Sequence, residues 1–186
     1  MAEFSVYERG VEVLGEVIAA FIAGFPEGTE KMGSAVLEKH GIRNPRPGEW
    51  YPLQSFLEAM KEIADLFGGY ILTRIGERIA FNAVLPPGLN SLDQCLKSID
   101  VAYHMNHRGG EIGHYRYSQE GVQGGLNRAL MVCPNCYPCF FDLGVIEGFS
   151  RRFKPEGAVG VVVRHDDSRP CRRKGDNECT YIISWV

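Results

Sequence analysis

No run in this 186-residue chain approaches the ~18 uninterrupted apolar residues that a membrane span needs. Neither sign of charge dominates: 20 Lys and Arg stand against 23 Asp and Glu, for a formal net charge of −3. That balance removes the electrostatic reason to expect a nucleic acid partner. The small basic clusters, Arg151, Arg152 and Lys154, then Arg172, Arg173 and Lys174, have acids close by and read as solvated surface. The first residues lack a basic stretch followed by an apolar core and a small-residue cleavage site; Glu3, Glu8, Glu12 and Glu16 run through them instead. The expectation is a cytoplasmic chain, whose thiols stay reduced. There is no internal repeat, no low-complexity segment, no dinucleotide fingerprint or phosphate-binding loop, and no Ser–His–acid arrangement above chance.

What is present is ordinary globular material, 45% hydrophobic and 23% charged, enough for one sizeable core. We expect a single domain over 1–186, with a mainly helical part at 1–88 and an α+β part at 89–186. Apolar residues recur at three-to-four spacing from Val6 through Leu14, Ile18 and Phe21 to Phe25, and again from Leu53 through Phe56, Leu57, Met60 and Ile63 to Phe67. Shorter helices are predicted over 30–39 and 70–84, and Ser91 can cap a helix through Leu92, Cys95, Leu96, Ile99 and Tyr103. The period then shortens. Strands are predicted over 112–118, 126–132, 158–164 and 180–185, with a helix over 143–153 between them. The fold class expected is α+β, a helical layer packed on a small antiparallel sheet.

Five of the six cysteines fall in two groups. Cys133, Cys136 and Cys139 are spaced C-x2-C-x2-C, and Cys171 and Cys179 bracket a turn-forming Lys-Gly-Asp-Asn run. Two short local clusters can supply a tetrahedral ion with four N or S ligands, and His165 and Asp167 lie just upstream as further donors. Buried free thiols or a Cys171–Cys179 disulfide are the competing readings, and an iron–sulfur cluster the lesser metal option. Cys95, in its helix stripe, reads as core. The densest polar run extends from Asp100 to Tyr115 and holds His104, His107 and His114. It can be a helix terminus with its cations or a polar functional group of acid–base, metal or heme ligands.

The stretch Cys139-Phe-Phe-Asp-Leu-Gly144-Val-Ile-Glu-Gly148, followed by Cys171-x7-Cys179 and Tyr181-Ile-Ile-Ser-Trp, resembles the 4-vinyl reductase domain superfamily. That superfamily includes phenol-sensor domains of transcription activators and is related more distantly to heme nitric oxide-binding domains. The resemblance implies a 4-vinyl reductase-like fold and zinc held by Cys139, Cys171 and Cys179. The position where those sensors carry a glutamate ligand, three before Cys171, is Ser168 here. Cys136, His165 or Asp167 must then be the fourth ligand. The tyrosine-x-serine-x-arginine signature of the nitric oxide sensors is missing at Tyr115-Arg-Tyr-Ser-Gln-Glu, so zinc is the expected cofactor and heme is not, though a histidine of the cluster stays open as an axial ligand.

The function expected is binding or sensing of a small hydrophobic molecule, with a structural zinc clamp. The alternatives are an enzyme acting on a tetrapyrrole or other hydrophobic substrate, or a heme-binding sensor. The pocket is expected between the 56–67 stripe, the 143–153 helix and the sheet, with Tyr103, His107 and Tyr115 as ligand-binding residues at its edge. A homodimer is expected, joined through the apolar 6–25 helix.

Overall fold

Periodicity in the first half translates into helices that bury one face each. In the computed structural model, which describes residues 3–186, α1 (Gly15–Ala23), α2 (Glu30–Lys39), α3 (Leu53–Phe67) and α4 (Tyr70–Asn82) precede α5 (Leu92–Met105), and α6 (Cys139–Arg152) follows later. Helix α3 sinks Leu53, Phe56, Leu57, Met60 and Ile63 completely, each worth roughly 1.5–3 kcal/mol of burial. Ser91 caps α5: its side-chain oxygen accepts the Gln94 N–H at 3.3 Å.

The long N-terminal helix expected from Val6 does not form. Gly10 takes φ +89°, and beyond it Val11 and Val13 are buried while Glu12 and Leu14 are not, a strand alternation. Strand β1 (Glu12–Leu14) lies between β2 (Trp50–Pro52) and β3 (His107–Arg108), antiparallel to both. The helix that follows uses Ile18 and Phe21, with Phe25 beyond its end, to fill this chain's own core. Those three side chains are therefore occupied within the chain.

The second sheet has four antiparallel strands in the order β4 (Arg116–Gln123), β5 (Leu126–Cys133), β7 (Cys179–Trp185), β6 (Val161–His165). One core of buried side chains runs from Val11 to Ile183 through both helices and sheet. No helix among the described residues is long and apolar enough to cross a membrane.

Helices α4 and α6 pack with their backbones almost touching. A Cβ on Gly144 would meet the Thr73 carbonyl oxygen at 2.0 Å, and one on Gly148 would meet that of Glu77 at 2.6 Å. The glycines of the Leu-Gly-Val-Ile-Glu-Gly stretch thus serve a helix crossing. This contact sets where α6 starts, and so where Cys139 sits.

Candidate functional site

The end of helix α5 leads an imidazole into a buried position. His107 follows the helix end, where β3 pairs it with Val13. Its ring is buried, with Nδ1 2.6 Å from the Tyr103 carbonyl oxygen and Nε2 2.9 Å from the Tyr137 hydroxyl. A carbonyl only accepts, so Nδ1 carries the proton and Nε2 presents its lone pair. Burial holds the imidazole down at about 4, so it is neutral near pH 7.

His107 lines a cavity of about 600 Å³ between α1, the end of α4, α5 and α6. Val17, Ala20, Ile79, Ile99, Phe141, Val145 and Phe149 supply apolar walls, and Tyr103, Tyr115 and Tyr137 stand beside the imidazole. Tyr103, His107 and Tyr115 all border this space. Its position differs from the expected one: residues 56–67 and the sheet are not among its walls, because α3 buries its stripe elsewhere in the core.

A second group forms where the sheet meets the start of α6. Cys139 heads that helix, Cys171 lies in the β6–β7 connection, Cys179 opens β7, and His165 ends β6. One donor atom from each lies within 4.8 Å of all the others. The Cys139 sulfur is 2.9 Å from that of Cys179 and 3.6 Å from that of Cys171, and the last two are 3.9 Å apart. Four ligands ~2.3 Å from one ion would place sulfurs ~3.8 Å apart. Between Cys171 and Cys179 the chain makes a 3₁₀ turn over Arg172–Lys174, closed by Gly175 at φ +92°.

Charge in this corner is strongly polarised. The hydrogen bond to Cys139 and the facing His165 hold the Cys179 thiol down at about 3, while the Cys139 thiol is pushed up by the same bond and by burial. Cys179, then Asp167, lifts His165 to about 9. The His165 Nδ1 lies 2.9 Å from the Asp167 carboxylate, and its buried Nε2 makes no hydrogen bond. Asp167 itself is exposed and turned to the outer side of the ring, so it orients the imidazole and does not join the donors. Cys136 is also outside the set. Its sulfur sits 3.5 Å from the Tyr103 hydroxyl, toward the cavity, and burial pushes the thiol up to about 11. Cys133 and Cys95 are buried core thiols.

Between cavity and corner lies a polar chain that sequence reading missed. The Tyr115 hydroxyl, on the cavity side, donates to Asp142 at 2.5 Å. Asp142 pairs with Arg172, and both side chains are fully buried. Arg172 also donates to the carbonyl and side-chain oxygens of Asn135, while its backbone N–H points at the Cys179 sulfur, 3.4 Å away. Burial lifts the Asp142 carboxyl to about 6 against the opposing pull of Arg172. The available signal was an acid inside the apolar run Phe-Phe-Asp-Leu, which demands a buried partner.

The chain matches no protein-family model and no curated protein. Its fold, however, is shared with solved structures. An H-NOX protein from S. oneidensis in the Fe(II)NO ligation state is 14% identical and superposes over 93% of this chain and 99% of its own, with a TM-score of 0.67. A structure described by modulation of heme redox potential through porphyrin distortion is 15% identical, over 92% and 98%, at 0.60. An oxygen-binding H-NOX domain related to soluble guanylate cyclases is 15% identical, over 92% and 93%, at 0.58.

The fold is that of H-NOX domains. At this identity the match speaks for architecture alone, but it corrects several expectations. The architecture is H-NOX-like, not 4-vinyl reductase-like, and the resemblance read from the cysteine and glycine spacing gives way to that match. Zinc as the chain's cofactor, and a small-molecule sensor clamped by structural zinc as its function, lose their basis with that resemblance. Heme can no longer be set aside on a missing tyrosine-x-serine-x-arginine run, because structures with this fold are described with heme. Spacing misled because a short cysteine motif describes one corner, whereas the fold is decided by the packing of the whole chain.

Proposed function

We propose that the chain is a heme-binding sensor domain, in which the cavity between α1, α4, α5 and α6 would take the prosthetic group and His107 would hold its iron. The observation that carries this is the state of His107. Its Nδ1 proton is committed to the Tyr103 carbonyl, and burial keeps Nε2 unprotonated. An imidazole so arranged can bind iron without giving up a proton, once the Tyr137 hydroxyl leaves Nε2. The cavity volume and the Ile, Val and Phe walls suit a large flat apolar group.

The fit has one departure. Among the described lining residues there is no Lys or Arg, and Glu16 is the one acid. The carboxylates of a porphyrin would gain no ion pair from these walls, so affinity rests on apolar contact and on the axial bond. When bound, the iron would supply a site for a diatomic gas. The protein would contribute the neutral His107 imidazole, apolar walls, and the Tyr103 and Tyr137 hydroxyls beside that ring.

The group Cys139, His165, Cys171 and Cys179 is proposed as a separate metal-holding set, since their donor atoms converge and His165 has the outer-sphere carboxylate common for such ligands.

Hemin and metal-free protoporphyrin separate iron ligation from mere apolar fit. Hemin should raise the unfolding temperature saturably, and protoporphyrin should do so far less, because a ligand of the folded state alone stabilises by mass action. Equal stabilisation by both would remove His107 from the role. No stabilisation by either would reject heme binding.

A further inference from the structure

On the solvent side of α5 lies another constellation. Asp100 and His104 are one helical turn apart, so both project from one face, and His114 approaches from the segment leading into β4. The Asp100 Oδ1 is 3.6 Å from the His104 Nδ1 and 3.5 Å from the His114 Nδ1. The two imidazole rings are 4.9 Å apart between centroids. One donor from each residue falls within 4.8 Å of the others.

The backbone builds this arrangement. Asp100 Oδ1 accepts the Tyr115 N–H at 2.7 Å, which locks the carboxylate. The His114 N–H donates to the Pro134 carbonyl at 2.9 Å. Gly113, at φ +81°, permits that approach, since a Cβ there would sit 1.8 Å from the Pro134 oxygen. His104 Nδ1 lies 2.8 Å from the Asp100 carbonyl oxygen, a contact that fixes the ring against the helix.

We propose that Asp100, His104 and His114 form a surface site for a divalent transition-metal ion. Two imidazoles and one carboxylate on a common face select the cobalt, nickel and copper class over magnesium or calcium, which want oxygen donors alone. All three side chains are partly exposed, with His104 and His114 each 41% accessible, so water completes the coordination shell. The ion would tie α5 to the 112–115 segment, hence the two pieces of chain that bring Tyr103 and Tyr115 to the cavity.

Cobalt(II) added to metal-free, reduced protein tests this. Cobalt bound to thiolates absorbs strongly in the near ultraviolet, whereas cobalt on imidazole and carboxylate does not, so the cysteine corner and this site are counted separately. The native chain should bind one cobalt without the thiolate band. His104→Ala and His114→Ala should each weaken that class by more than ~10-fold, the scale at which even outer-shell changes act, with the far-ultraviolet dichroism and any thiolate band unchanged. Millimolar magnesium should not compete. A non-thiolate class that persists in the double variant, or is absent from the native chain, overturns the proposal. Neither result depends on whether the cavity takes heme.

Discussion

A buried and a half-buried imidazole in this chain have opposite surroundings. His107 stands among apolar and tyrosyl side chains with no carboxylate on its ring, and burial drives it down to about 4. His165 faces a thiolate on one side and Asp167 on the other, and it is lifted to about 9. The same side chain is therefore held neutral beside the cavity and favoured as the cation beside the cysteines. Solvent exclusion dominates at one site and neighbouring charge at the other. Helix α6 belongs to both places, since it starts at Cys139 and carries Phe141, Val145 and Phe149 along the cavity. The Tyr115–Asp142–Arg172 chain spans the gap.

Cutting that chain should have the largest effect. Arg172→Met leaves Asp142 fully buried without its cation, and should cost about 3–5 kcal/mol in urea unfolding. Asp142→Leu combined with Arg172→Met should recover much of the loss, because no lone charge remains. Gly144→Ala comes next, at roughly 3 kcal/mol, since its methyl cannot coexist with the Thr73 carbonyl and α6 must move. It should disturb cavity and corner together, seen as lost hemin binding and as faster labelling of Cys139. A variant that disturbed only one of them would show that α6 is not their shared support.

The pH dependence of stability separates the imidazoles. The folded-state value for His107 is depressed from 6.5 to about 4, so the folded chain binds fewer protons than the unfolded chain in that window. Its contribution, about 3 kcal/mol from the size of the shift, is present above pH 6.5 and is lost as pH falls to about 4. His107→Gln should flatten that portion of the curve measured without ligand. An unchanged slope would mean that His107 is not the group responsible. The smallest effect is expected from Ser91→Ala, about 1 kcal/mol for a lost cap. It should loosen α5 and the cavity while leaving thiol reactivity in the corner unaltered.

How much was legible in the sequence differs by region. The helices at 30–39 and 53–67 are where the apolar spacing puts them, because burial of a stripe is a local pattern. The 6–25 helix failed because Gly10 and the Val11–Val13 alternation lie inside an apparently helical stripe, and pairing with β2 and β3 decides between them. Cys139, Cys171 and Cys179 are joined by His165, while Cys136, closer in sequence to Cys139, is turned away toward Tyr103. Spacing cannot reveal such a choice, since it depends on which side of the α6 start each sulfur falls. Tyr137 was not singled out, and Arg172, read as solvated surface, is buried; the partners of both are 30 residues away along the chain.

In the proposed role of His107, the lone pair on Nε2 would hold iron in the cavity. That role is tested most directly by the absorption spectrum of the native chain and of His107→Ala, each titrated with hemin, with and without added imidazole. The native chain should give a saturable one-to-one Soret band. His107→Ala should lose that band or shift it, and free imidazole, filling the space the side chain left, should restore it. The same Soret band in both proteins, or none in the native chain, would contradict the account.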